Sequence, residues 1–342
     1  MNRRLVSSLT TLAAAVAPVL ALSGCGASSA SPGEETKVIR YQSSSGGIID
    51  LPEVADALGL LGDIELERLG DVQGGPEALR AVATDQIDYG GAFNGAVAKR
   101  ASTGAPVTSV ISYSGSSGKV DSGVLTLEKG GIDDAKDLIG KKVAVNTLGA
   151  NAEAVLDTWL RREGLSDEQL DQVTLVPLPP LNMEQALKKG QVDAIYLFGA
   201  QKNIALSHGG IHTLVTDTDL VGEYNGGTYV MRDDFLARNP NTSKKFVAAL
   251  AKALEYTQTQ PIDKVRALVA DYLRKHDRAE QVPALDLWRG TGVSSRGGVI
   301  SDDDFTLWLD WLEAEGEVEP GSVDVEDIYT NEYNPYAEEG TS

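Results

Sequence analysis

The residues able to make or break bonds are few and poorly spaced for it. Three histidines stand in the chain, His208, His212 and His276. His208 and His212 are four apart, but "SHGGIH" sets two glycines between them, so no helical turn holds both rings on one metal. "SDDDF", residues 301–305, lacks the alternating ligands and glycine of a calcium loop and reads as the acidic first turn of a helix. Neither a G-x-S-x-G elbow nor a phosphate loop ending in Gly-Lys-Ser/Thr occurs. With 50 Asp and Glu residues, any one carboxylate pair is uninformative. The reading is of a non-enzyme with no catalytic residue, metal or cofactor.

What the chain offers instead is recognition chemistry. "YQSSSGG", "AFNG", "NTLGAN" and "YLFGAQ" supply hydroxyls, amides, aromatic faces and small residues where strands give way to helices. The first turn of a helix has N–H groups without intrahelical partners. An anion gains about 0.3–1 kcal/mol at each such end, and several together approach micromolar affinity, about 8 kcal/mol. A repeat accompanies these tracts: "EALRAVATDQIDYGGAFN", residues 77–94, and "EQALKKGQVDAIYLFG", residues 184–199, share a helix, a turn, an aspartate and an apolar strand. Asp88 and Phe93 line up with Asp193 and Phe198.

The elements that would position these groups alternate. "KVIRYQ" is a strand, the tract after Asp50 a helix with Pro52 in its first turn, and "DIELERL" a strand. A helix from Gly75–Pro76 to Thr84 and the strand "IDYGGAF" complete a β-α-β-α-β unit. The second half repeats the order: "KKVAVN", a helix from Asn151 to Glu163 ended by Gly164, a capping box of Ser166 and Gln169, "VTLVPL", a helix capped by Asn182 and Gln185, and "VDAIYLF". Strands joined through helices run parallel, so each half is a doubly wound α/β layer, and two such layers leave a crevice at their strand ends. Val107–Tyr113 and "GVLTLE" lead from one lobe to the other, and "NGGTYVMRDDFLARNP" leads back, which is hinge geometry. Beyond about Asn241 the chain is mostly helical: Phe246, Leu250 and Leu254 form one apolar stripe, and Phe305, Trp308, Leu309 and Leu312, after a cap at Ser301, form another.

The first 24 residues, with Arg3, Arg4 and an apolar run to Leu22, read as an export signal; about twelve apolar residues fall short of the roughly 20 that span a bilayer. Cys25, the single cysteine, follows Leu22-Ser23-Gly24 and reads as the lipidated first residue of the mature chain, with 25–36 as a flexible tether. Loss of Arg3 and Arg4 takes the formal charge from −20 to −22, which argues against nucleic acid as a partner.

"IRYQ", "EALRAVATDQIDYGGAFNGAVAKRASTGAPV", "DLIGKKVAVNTLGANAEAVLDTWLRREGLSDEQL", "EQALKKGQVDAIY" and "DIYTNEYNP" resemble the substrate-binding lipoproteins of ABC importers in the sulfonate, nitrate and taurine group. Binders of thiamine-pyrimidine precursors and of aromatic carboxylates belong to the same group. The resemblance implies a two-lobed periplasmic-binding-protein fold of type II, each lobe a mostly parallel sheet with flanking helices. It divides the chain into 37–121 and 230–342 for the first lobe and 122–229 for the second, with the ligand between them. Carried onto this sequence it implies contacts from Gln42, Ser43, Ser44, Phe93 and Asn94, and from Thr147, Gly149, Ala150, Asn151, Tyr196 and Phe198, with Tyr113 and Tyr224 near the hinges. Phe93 and Phe198 suit the cleft and the core equally. The implied protein is an exported monomer held by lipid to the outer face of the cytoplasmic membrane. Its partners would be a small solute, an ABC permease and the ATPase that drives it.

The contact tracts contain no Lys or Arg, so an anionic solute needs help from Lys119, Lys202 or Arg296, unless helix ends and hydroxyls suffice or the solute is aromatic and nearly neutral. The rival reading is an enzyme on the same scaffold. A pyrimidine synthase needs a histidine and cysteine set that is absent, and a relative of porphobilinogen deaminase needs a cofactor-bearing cysteine, whereas Cys25 lies in the lipid signal. A ligand-sensing accessory protein is the third reading.

Overall fold

A computed structural model describes residues 34–44 and 49–337. Cys25, the expected lipid site, lies outside them, as do the expected signal and most of the tether. The first lobe runs through β1 (Val38–Ser44), α1 (Leu51–Ala57), β2 (Glu65–Val72), α2 (Gly75–Ala83), β3 (Tyr89–Phe93), α3 (Asn94–Ser102) and β4 (Val107–Ser116). The second holds β5 (Ser122–Leu127), β6 (Lys142–Val145), α4 (Asn151–Arg162), α5 (Asp167–Leu170), β7 (Thr174–Pro177), α6 (Pro180–Lys188), β8 (Ala194–Phe198), α7 (Gly199–Ser207) and β9 (Ile211–Thr216). After α8 (Asp217–Val221) the chain returns through β10 (Tyr224–Arg232), α9 (Asp233–Arg238), α10 (Pro240–Thr259), α11 (Ile262–Lys275) and α12 (Asp303–Ala314).

The local signals act as their chemistry dictates. Gly164 follows α4 with φ +83°, a conformation that costs glycine nothing, and Ser166 with Gln169 forms the box that starts α5. Two caps fall elsewhere than expected. α6 begins at Pro180, whose fixed φ suits a first helical position, so Asn182 lies inside the helix; α12 is capped at Asp302 and not at Ser301.

Parallel pairs join β1 to β2, β6 to β7 and β6 to β8. The strands that arrive from the other lobe enter at the cleft and therefore run the opposite way. β5 lies antiparallel to β8 and β9 in the order β7-β6-β8-β5-β9, and β10 lies antiparallel between β3 and β4. β10 pairs with β4 from Tyr224 onward, six residues before the expected return at residue 230.

The repeated aspartates fix strand neighbours. Asp88 donates its N–H to the Arg40 carbonyl at 2.9 Å and accepts the Arg40 N–H at 2.7 Å. Asp193 does the same with Lys142, at 2.8 Å each way. Behind β10 and β4, Phe246, Leu250 and Leu254 of α10 are wholly buried, each contributing about 1.5–3 kcal/mol. Past α12 the chain lies along the first lobe, where Thr330 donates its N–H to the Ser109 carbonyl.

Candidate functional site

A cavity of about 240 Å³ lies where the cleft ends of the strands face the starts of α2, α4 and α7. Both lobes supply wall: Gln42, Phe93, Tyr113 and Tyr229 from one, Asn146, Asn151 and Phe198 from the other. Trp288 and Thr291, between α11 and α12, close a further side.

Seven of the sequence-derived residues line this cavity: Gln42, Phe93, Tyr113, Ala150, Asn151, Phe198 and Tyr224. Phe93 does two jobs, presenting an edge to the cavity while packing against Trp308 at 4.9 Å between ring centres. Phe198 is half-buried and meets Tyr196 edge to face at 5.1 Å. Tyr113 stacks on Tyr229 at 4.2 Å, and it stands there because Gly91 leaves room: a Cβ at position 91 would come within 2.7 Å of its ring.

The structure takes five others away from the wall. Asn94 is fully buried beneath the cavity, its Nδ2 donating to the carbonyls of Asn225 and Asp304 at 3.0 Å each. Ser43 points back into the first lobe, where its hydroxyl donates to Glu53 and accepts from Arg68. Tyr196 is buried and donates to Asn151 Oδ1 at 3.0 Å, so it positions a wall residue without being one. The Gly149 N–H is taken by Glu153, and the Thr147 methyl faces Gly74 across the cleft. The backbone of Ser44 pairs with Val72 at the end of β1, and its side chain lies outside the described residues. Nor do the three proposed cations line the cavity. Lys202 is buried in an ion pair with Asp121 at 2.5 Å, Arg296 pairs with Glu255, and Lys119 is exposed in the turn between β4 and β5.

A hydrogen-bonded chain links wall and hinge. Asn151 Nδ2 donates to the Tyr224 hydroxyl at 3.0 Å, and that hydroxyl donates to Asp217 at 3.0 Å. Asp217 also accepts from the Ser116 hydroxyl at 2.5 Å and from the Ser122 N–H at 3.0 Å. Ser116 ends β4, Ser122 opens β5, and Asp217 starts the return, so one carboxylate ties together both crossings between the lobes. Burial pushes the Asp217 carboxyl and the Tyr224 hydroxyl upward, while the Ser116 and Ser122 bonds pull Asp217 back.

Among the described residues, Asp50 is the one charged group on the cavity wall. It precedes α1, where an aspartate ordinarily caps a helix, yet it makes no cap bond; it accepts the Tyr229 hydroxyl at 2.9 Å instead. Burial pushes its carboxyl up to about 7, repulsion from Glu53 adds to this, and the Tyr229 bond, Arg278 and Arg68 oppose it. An aspartate just before Leu-Pro reads from sequence as a helix cap, which hides this role. Trp288 gave no local signal at all, since it reaches the cavity from a distant non-periodic tract.

The sequence profile described as NMT1/THI5 like matches residues 63–263. The putative aliphatic sulfonates-binding protein of Bacillus subtilis (strain 168) is 28% identical over 268 residues, 75% of this chain and 76% of that protein. The taurine-binding periplasmic protein of Escherichia coli (strain K12) is 26% identical over 185 residues, 52% of this chain and 53% of the other, so the chain spans about half the length of that relative. The solved alkanesulfonate-binding protein of Xanthomonas axonopodis pv. citri, bound to MOPS, has a TM-score of 0.67 at 19% identity, covering 87% of this chain and 99% of its own. At that identity the likeness speaks to the fold, two lobes of the periplasmic solute-binding type.

Proposed function

The chain belongs to the NMT1/THI5-like family, and from that premise we propose that it is the extracytoplasmic solute-binding lipoprotein of an ABC importer. It captures a small anionic solute of the kind its relatives are named for, an organic sulfonate such as taurine, or nitrate, and delivers it to a membrane permease driven by an ATPase. The observation that carries this reading is a cavity walled by both lobes and faced by the starts of α2, α4 and α7. An acidic group there meets first-turn N–H donors from two directions. A solute that touches both lobes only when they are closed favours closure by its differential affinity. The two crossings, 117–121 and 217–223, are the hinge, and a lipid on Cys25 holds the loaded protein beside its permease.

A second reading, a binder of an aromatic carboxylate or a thiamine-pyrimidine precursor, is favoured by the stacked pair Tyr113 and Tyr229; Asp50, the one charged wall residue among those described, suits the pyrimidine's N–H donors and opposes a carboxylate. Calorimetry and thermal denaturation of the full chain with sulfonates, nitrate, aromatic carboxylates and pyrimidines test both. Ligand at 100 times Kd adds about 2.7 kcal/mol of stability. Binding without turnover supports the importer reading; chemical conversion of any of these compounds overturns it in favour of an enzyme on this fold.

A further inference from the structure

We propose that Asp50 is the counter-ion for a protonated amine on the solute, so that the cavity selects an amine-bearing solute over its amine-free analogue. The inference rests on the solute-binding reading and adds to it the chemical class of the solute. Asp50 lines the cavity half-buried, stands at a helix start without its side chain capping it, and its carboxylate makes one hydrogen bond, from Tyr229, among the described residues. No Lys or Arg pairs with it there. Its neighbour Glu53 has such a partner, the Arg278 guanidinium at 2.6 Å. A half-buried carboxylate without a cation is costly unless a charge arrives with the ligand.

The rest of the wall fits the same group. Three buried oxygens that belong to cavity residues have no hydrogen-bond partner among the described residues: Gln42 Oε1, Asn146 Oδ1 and the hydroxyl of Tyr89, a residue only 2% exposed. Each can accept an N–H, and an ammonium group is a donor of N–H bonds only. Tyr229, which holds Asp50, stacks on Tyr113 at 4.2 Å and receives the edge of Tyr89 at 5.2 Å. Ring faces beside a carboxylate favour a cation further.

Amine binding at this place is linked to protons. Asp50 faces Glu53 on its own helix, Tyr229 on β10, Tyr89 on β3, Tyr113 on β4, Tyr41 on β1, Arg68 on β2 and Arg278 beyond α11. Burial and Glu53 hold a proton on it up to about 7, so an incoming ammonium displaces that proton below this pH. Affinity then rises as pH rises toward 7 and levels off above it.

The test uses matched pairs on the full chain: phenethylamine against 2-phenylethanol, and taurine against ethanesulfonate, by calorimetry at pH 5.5 and 7.5. The expected result is an amine advantage of about tenfold or more at pH 7.5 that shrinks as pH falls below 7 and is largely lost at pH 5.5, with proton release seen as a buffer-dependent heat. Asp50→Asn, which keeps an acceptor for Tyr229, is expected to abolish the advantage at a melting temperature no lower than that of the unaltered chain. Should that variant fail to fold, the pH profile and proton release of the unaltered chain still decide. Equal binding of amine and amine-free partners, or an advantage that survives Asp50→Asn, overturns the role of Asp50 while leaving the solute-binding reading intact. No heat and no stabilisation from any of the four overturns both.

Discussion

A Cβ placed on Gly74 would stand 2.9 Å from Cγ2 of Thr147. Gly74 precedes α2 in the first lobe and Thr147 follows β6 in the second, so the lobes touch here beside the cavity. The Gly74 backbone is extended, with φ −177°, and any residue adopts that conformation. The obstacle to a side chain is therefore the opposite lobe. Gly74→Val is expected to prop the lobes apart, raising the radius of gyration in small-angle scattering and weakening solute binding by about tenfold or more, because closure then costs more. The denaturation midpoint should stay put. An unchanged affinity would show that this contact has no part in closure.

The repeated aspartates predict a different loss. Asp88 is buried and, beyond its two backbone bonds to Arg40, receives that residue's guanidinium at 2.6 Å and 3.1 Å. Asp88→Ala leaves a strand N–H unpaired and takes two bonds from the guanidinium, which keeps those to Asp85, and is expected to cost about 2 kcal/mol or more in urea denaturation. Asp193→Ala removes one charge-assisted bond at a half-exposed place, about 1 kcal/mol. Neither residue lines the cavity, so solute affinity should be preserved in both. A larger loss at Asp193 than at Asp88 would contradict this account.

These two aspartates also show what the chain makes legible. Element order, the strand-end tracts and the matched positions were visible because periodicity, glycines and capping residues act within a few residues. The two halves of the repeat then part: each aspartate pins a strand, and each phenylalanine reaches the cavity at the other end of that strand. Asn94 follows a strand end, from which a residue can point toward the cleft or beneath it, and its bond to the Asp304 carbonyl of α12 holds it beneath. Asp50, Tyr229 and Trp288 meet at one cavity from three distant parts of the chain, and no local pattern encodes a meeting of that kind.

Gly91, inside the repeat, separates packing from recognition. With a Cβ 2.7 Å from the Tyr113 ring, Gly91→Ala must turn Tyr113 out of its stack on Tyr229. Overpacking of this kind costs about 1–3 kcal/mol. Calorimetry should show weaker binding of any ring-bearing solute, and near-ultraviolet circular dichroism should register the moved tyrosines. Wild-type affinity with a wild-type tyrosine spectrum would mean that neighbouring backbone absorbs the methyl group.

Asp157 sets a pH dependence of stability that is independent of ligand. It lies on α4 and accepts the Trp311 indole N–H at 3.2 Å; burial pushes its carboxyl up to about 7, and Glu315 and Glu153 oppose its ionisation further. An unfolded aspartate releases its proton near 4, so between about 4 and 7 the folded chain binds the extra proton. Stability from this group is therefore present at low pH and declines as pH rises toward 7. Asp157→Asn, neutral at every pH, is expected to raise stability by about 1–3 kcal/mol at pH 7.5, with partial exposure discounted, and to change it little at pH 4.5. Urea denaturation at the two pH values measures this directly. A variant less stable than the parent at pH 7.5 would mean that the charged carboxylate gains more from Trp311 than it loses to burial.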